Sequence, residues 1–235
     1  MKLAVAALLA ALTLPAAAQA PAAPPAKPAA PASPQAAKAD DEKALYGVGL
    51  ALAQNVEIFA LSPAELETVV KGLKDGVSHK PKYPMDEKLN ASIQELARSR
   101  KAVADKKQAD AGPAYLAKMA AEKGAKKSPS GAIVISQKEG SGASPGAKDK
   151  VKVNYAGTLI DGKEFDSSYK RGQPVEFPLD QVVKCWTEAL QMMKVGGKAK
   201  VVCPSDIAYG PNGRPPVIPG NAVLTFEIEL LEIVK

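Results

Sequence analysis

The chain has 235 residues and a formal net charge of +6, with one Trp, six Tyr and four Phe. That length exceeds one small domain and leaves room for two folded units plus an unstructured segment. Its lysines, among them Lys71, Lys101, Lys106, Lys107, Lys126 and Lys127, alternate with acidic residues, and no basic stripe interleaved with aromatics marks a nucleic-acid site, so nucleic acid is excluded as a partner.

The N-terminus carries Lys2, an apolar run from Leu3 to Leu14, Pro15, and small residues ending in Ala18-Gln19-Ala20. The run is too short to span a ~30 Å hydrocarbon core, so residues 1–20 read as a cleavable export signal and no transmembrane segment is expected. Cleavage after Ala20 would leave Pro21 as a poor first residue, which keeps Ala18 open as the other site. Export places the mature chain in the periplasm, with the outer surface or secretion as the other destinations. Residues 21–39 open on prolines spaced among alanines, a composition that favours extended polyproline II and reads as a linker.

Residues 40–123 are patterned as helices. Leu45, Val48, Leu52, Val56 and Phe59 form one apolar stripe. Ser62-Pro63-Ala64-Glu65 is a capping box with proline at the first helical position, opening a second helix whose Leu66, Val69, Val70 and Leu73 share a face before Asp75-Gly76. A third segment, Asp86–Lys123, would reach about 57 Å if continuous at ~1.5 Å per residue. Gly112-Pro113 predicts a kink there, since proline removes a donor and clashes with the preceding turn. These short helices cannot bury their apolar faces among themselves, so a second copy of the segment is expected to cover them; a monomeric helical spacer is the alternative.

After Ser128 the period changes to two. Ala132–Ser136, Lys150–Tyr155, Lys198–Cys203 and Ala222–Ile233 alternate as half-buried strands, and Thr187–Lys194 forms one short helix with Leu190 and Met193 on its buried face. One helix across an antiparallel sheet gives an α+β domain over residues 124–235. Gly47-Val-Gly49 and Gly140-Ser-Gly142 open no strand-to-helix phosphate cradle, and the single histidine, His79, stands in a polar loop; neither cofactor nor metal is expected.

The run Val153-Asn-Tyr155-Ala-Gly157 through Phe165-Asp166-Ser167-Ser168, with Val182-Val183-Lys184-Cys185-Trp186, Ala208-Tyr209-Gly210 and Phe226, resembles the FKBP-type peptidyl-prolyl isomerases, which bind tacrolimus and rapamycin. The likeness spans roughly residues 128–235. The helical half is similar in order and pattern to the N-terminal dimerisation domain and connecting helix of macrophage-infectivity-potentiator-like exported isomerases. The resemblance implies that Trp186 is the floor beneath a proline ring, with Tyr155, Phe165, Val182, Val183 and Phe226 as walls. It also implies that Tyr209 in the Ala208-Tyr209-Gly210 turn, and the Val183 N–H, hold substrate carbonyls. Asp166 would face the rotating amide, held by Arg171 and the Tyr155 hydroxyl and kept ionised by them. Val175 stands where the family often has a larger aromatic wall, and Arg214 sits in the flap ahead of Val217 and Ile218. Cys185 and Cys203 are close enough in the family fold to pair; for an exported chain a disulfide is expected, with two buried free thiols as the alternative.

The function implied is cis-trans isomerisation of X-Pro bonds in unfolded or proline-containing polypeptides, by an exported homodimer. The rival is a dimeric holdase chaperone or surface-binding module in which isomerase activity is incidental.

Overall fold

The computed structural model describes residues 34–234. The expected export signal, 1–20, and the linker up to residue 33 lie outside the described residues. The chain divides after Leu45 into two units, and the second, from Tyr46 onward, holds every interaction considered below.

Helix α1 spans Pro34–Val56, beginning inside the segment expected to be linker, and a 3-10 turn follows at Glu57–Phe59. Helix α2 (Pro63–Val77) opens as its sequence dictates. The Ser62 N–H donates to Glu65 Oε2 at 2.8 Å, the Glu65 N–H donates back to Ser62 Oγ at 3.4 Å, and Pro63 fills the first helical position. Glu65 also pairs with Arg100. The Ser62 backbone, the Ser62 hydroxyl and Arg100 together hold its carboxyl at about 2.

Helix α3 (Glu87–Ala120) starts at Asp86, whose side chain accepts the Leu89 N–H at 2.7 Å. It runs unbroken through Pro113, so the kink expected at Gly112-Pro113 does not interrupt it. The ring of Pro113 lies on the exposed side, while Gly112 is buried and brings the backbone close to the sheet: a Cβ there would sit 3.1 Å from Val223 Cγ2. No helix among the described residues is long and apolar enough to cross a membrane.

The sheet comprises β1 (Ala125–Lys127), β2 (Ile133–Lys138), β3 (Lys150–Leu159), β4 (Glu164–Ser167), β5 (Val175–Pro178), β6 (Lys198–Cys203) and β7 (Leu224–Val234). Its order is β1-β2-β6-β7-β3-β4, every pair antiparallel, with β5 on the same edge of β3 as β4 but further toward the start of that strand. Along β3, Val151, Val153, Tyr155 and Leu159 alternate inward, as period-two patterning requires. They pack against α4 (Lys184–Gln191), which contributes Cys185, Trp186, Ala189 and Leu190 to the main core. Leu190 and Met193 are both buried, although α4 begins and ends three residues earlier than the sequence pattern places it.

The opposite sheet face has its own small core. Met119 of α3 meets Ile133, Ile135, Val202 and Val223, with Tyr115 and Leu116 packed against them. The Tyr115 hydroxyl lies 2.9 Å from Thr225 Oγ1 on β7. The end of α3 is thus part of the packing of the sheet.

Candidate active site

Gly157 sets the spacing of one wall. It lies mid-strand in β3, opposite Phe226 of β7, and a Cβ on it would stand 2.6 Å from Phe165 Cζ and 3.0 Å from Phe226 Cε1. Only a hydrogen lets both rings close over the strand. They meet edge to face with centroids 5.6 Å apart.

Trp186, in the first turn of α4, is the centre of the aromatic cluster. Tyr155, Phe177 and Phe226 approach its ring in T-shaped geometry, with centroids at 5.1, 5.6 and 5.2 Å. Each such pair contributes ~0.5–1.5 kcal/mol beyond simple burial. Two bonds fix the helix that carries it: Thr187 Oγ1 donates to the Leu179 carbonyl at 2.6 Å, and a Cys185–Cys203 disulfide, Cα–Cα 5.7 Å, ties its first turn to the end of β6. The indole Nε1 is buried without an acceptor among the described residues.

Tyr155, Phe165, Asp166, Val182, Val183, Trp186, Tyr209, Arg214 and Phe226 line one cavity of about 320 Å³, together with Phe177 and Gln181. That volume suits a small cyclic group with its flanking peptide units. Phe177 and Gln181 were not singled out by the sequence. The signal for Phe177 is its place two residues along β5 from Val175, on the same strand face. Val175 itself pairs with Val153 and packs half-buried on the core, outside this cavity lining; the aromatic wall comes from Phe177 instead. Ala208 likewise packs on the core behind Tyr209. Val217 and Ile218 line an adjoining cleft of about 420 Å³ that shares Phe165, Asp166, Tyr209 and Arg214 with the aromatic cavity.

Asp166 is the one carboxylate in the lining of the aromatic cavity, and both its oxygens accept hydrogen bonds. Oδ2 accepts the Tyr155 hydroxyl at 2.5 Å; Oδ1 accepts from Arg171 and from the Ser167 N–H, the latter at 2.8 Å. Arg171 Nη2 also donates to the Tyr155 oxygen at 2.8 Å and its guanidinium lies 5.5 Å from that ring's centroid. Burial alone would raise the Asp166 carboxyl, but the hydrogen bonds from Tyr155 and Arg171 outweigh it and hold the group below its usual range. Burial, then the neighbouring carboxylate, pushes the Tyr155 phenol up to about 12.

The arrangement offers an aromatic floor, a fixed negative charge on one wall and a phenol in the lining, with no activated nucleophile. Comparison with known proteins agrees with that geometry. Residues 142–231 match the model of the FKBP-type peptidyl-prolyl cis-trans isomerases, and residues 41–133 match that of the domain amino-terminal to them. FkpA of Aeromonas hydrophila is 41% identical over 214 residues, covering 85% of this chain and 78% of that protein. The chain belongs to the FKBP-type peptidyl-prolyl cis-trans isomerases.

Within that family it is also similar to the 22 kDa FKBP-type isomerase of Escherichia coli K12, 37% identical over 197 residues, covering 82% of this chain and 95% of that one. Among solved structures, FkpA from Escherichia coli superposes with a TM-score of 0.58 at 36% identity, covering 83% of this chain and 96% of the other. An isomerase from Pseudomonas syringae gives 0.52 at 38% identity, over 55% of this chain and 96% of its own. The FKBP likeness therefore includes the helical half as well as the sheet.

Proposed function

We propose that this FKBP-type isomerase acts on X-Pro bonds of incompletely folded exported polypeptides, as a periplasmic homodimer with chaperone activity. The observation that carries the catalytic part is the cavity floored by Trp186 and walled by Tyr155, Phe165, Phe177 and Phe226, with the charge of Asp166 held at its edge.

Turning an X-Pro amide breaks no covalent bond but must lose amide resonance against ~18–20 kcal/mol. The proline ring sits on Trp186, and water is excluded from the amide. The planar amide carries partial negative charge on its oxygen, which the twisted transition state has in smaller measure. A fixed carboxylate beside that oxygen therefore disfavours the planar forms more than the twisted one, which is catalysis by differential binding. Because Arg171, Tyr155 and the Ser167 N–H hold Asp166, the charge stays fixed and ionised through the turn. The Tyr209 hydroxyl and the Val183 N–H hold flanking carbonyls, while Arg214, Val217 and Ile218 touch the chain on either side. Tacrolimus- and rapamycin-type ligands compete for the same floor.

The helical half supports the dimer. Leu66, Val69 and Leu73, on one face of α2, are 46%, 38% and 50% exposed, and Val48 and Leu52 of α1 are similarly open. Apolar rows of this extent mark an interaction surface, and a second copy of the same helices is their occupant. The Cys185–Cys203 bond supports an oxidising compartment such as the periplasm.

The same apolar faces favour the second reading, a holdase to which isomerisation is incidental. Proline-limited refolding and suppression of aggregation, measured side by side, separate the two. Trp186→Ala abolishes the first, and suppression of aggregation left nearly intact in that variant favours the holdase.

A further inference from the structure

The aromatic cavity is bordered by the flap, which has a cavity on its other side as well. The cleft lined by Val217 and Ile218 shares Pro215 and Pro216 with a third cavity, of about 370 Å³, on the far side of the flap against α3. We propose that this α3–flap cavity is a second substrate subsite, which receives the polypeptide chain beyond the X-Pro pair held on Trp186. The proposal rests on the isomerase reading above.

Three observations select an uncharged stretch of polypeptide as the occupant. First, the cavity and the cleft beside the proline site share Pro215, Pro216, Val217 and Ile218 as a common wall, so a chain that leaves the proline site and crosses the flap reaches it. Second, its charges are largely cancelled in pairs: Arg100 with Glu65, Lys101 with Asp105, and Lys163 with Glu57 at 2.6 Å. A lining neutralised in this way gives little attraction to an anion or a cation, while Ile58, Ala104 and Leu159 supply apolar surface. Third, Gln108 is 3% exposed, lines the cavity, and its Oε1 has no hydrogen-bond partner. A buried amide oxygen left unpaired is costly. A peptide backbone N–H is the donor this oxygen lacks, and reaching it requires the Gln108 side chain to turn toward the cavity.

The walls are tied together before any substrate arrives. Asp105 on α3 accepts the Gly220 N–H at the base of the flap at 2.7 Å, and Gly220 sits so close to Pro211 that a Cβ would stand 2.0 Å from its carbonyl oxygen. The Arg214 and Ile218 backbones exchange hydrogen bonds of 2.8 and 3.0 Å across the flap itself. The flap is thus a stiff partition between two cavities, and a preformed subsite loses less entropy on binding.

The test uses the exported chain, residues 21–235, and two variants: Ala104→Trp, which fills the cavity, and Gln108→Leu, which keeps the volume and removes the amide. Each is assayed on a chromogenic tetrapeptide, too short to cross the flap, and on an unfolded protein whose refolding waits on one proline. Thermal melting checks that each variant folds, and Gln108→Leu stands alone if Ala104→Trp does not. The proposal requires the ratio of protein kcat/KM to tetrapeptide kcat/KM to fall by about fivefold or more, chiefly through KM on the protein substrate. A ratio within about twofold of the parent chain overturns it, whether both activities survive or both fall together. Direct binding of a labelled longer peptide with a central proline is read in parallel. A parent chain without tetrapeptide activity defeats the isomerase reading, and unchanged longer-peptide affinity in both variants defeats the subsite.

Discussion

The Tyr155 hydroxyl donates to Asp166 at 2.5 Å, and both groups are gripped by the same guanidinium, that of Arg171. This places a phenol, a carboxylate and a cation in one closed set at the cavity edge, and it fixes how the site responds to pH.

Asp166 is held below its ordinary range, so any stability it contributes is present above the unfolded carboxyl value and is lost as pH falls through the folded one. Arg171→Ala removes one of the lowering partners. The Asp166 carboxyl, followed by carbon NMR titration, is expected to move up, and the acid limb of the isomerase pH profile to move up with it. An unmoved titration contradicts the role given to Arg171. At the other end, Tyr155 is raised to about 12, so its contribution is complete below the unfolded phenol value and fades as pH climbs through 12. Ultraviolet titration against Tyr155→Phe should show one late-ionising phenol missing.

Gly157→Ala places a methyl 2.6 Å from Phe165 Cζ. Overpacking of this kind costs ~1–3 kcal/mol. Because the displaced ring is a cavity wall, kcat/KM on a short proline peptide should fall beyond what the loss of stability explains. Denaturant melts and peptide kinetics on the same samples check both, and unchanged kinetics would remove Phe165 from the wall.

The Cys185–Cys203 bond closes an 18-residue separation between the helix bearing Trp186 and β6. In the chain-entropy picture its loss costs ~3 kcal/mol. Strong reductant, or Cys185→Ala with Cys203→Ala, should lower the melting temperature and lower the denaturant concentration at which activity disappears. A normal melting temperature under reductant would speak against a stabilising bond.

Much of this was legible before the structure, for identifiable reasons. The alternation in β3, β6 and β7 follows from one face packing on a single helix. The capping box at Ser62 and Glu65 is purely local, so it read correctly. Strands β4 and β5 escaped notice because each has four residues between turn segments, too few for a period. The packing of α3 on the sheet was hidden because Tyr115, Leu116 and Met119 look like a sparse stripe on a charged helix; only the pairing of β2, β6 and β7 creates the surface they cover. In the site, the convergence of Tyr155, Phe165, Asp166, Trp186 and Phe226 was read from family resemblance rather than from spacing. The substitution of Phe177 for Val175 as a wall depends on how far each side chain reaches from β5, which sequence does not state.

Leu66→Glu combined with Leu73→Glu puts charge on the exposed apolar face of α2. Light scattering should show the dimer converted to monomer, with the suppression of aggregation weakened. A parent chain that is already monomeric would overturn the proposed assembly and leave those rows to another partner.

The central claim is that the Trp186 cavity turns X-Pro bonds, and the most direct measurement is the isomerisation rate of a chromogenic proline peptide by residues 21–235, with and without rapamycin, beside Trp186→Ala. The account predicts acceleration by the parent chain that the drug and the substitution each remove. A well-folded parent chain that gives no acceleration, or a Trp186→Ala variant that accelerates as well as the parent, would contradict it.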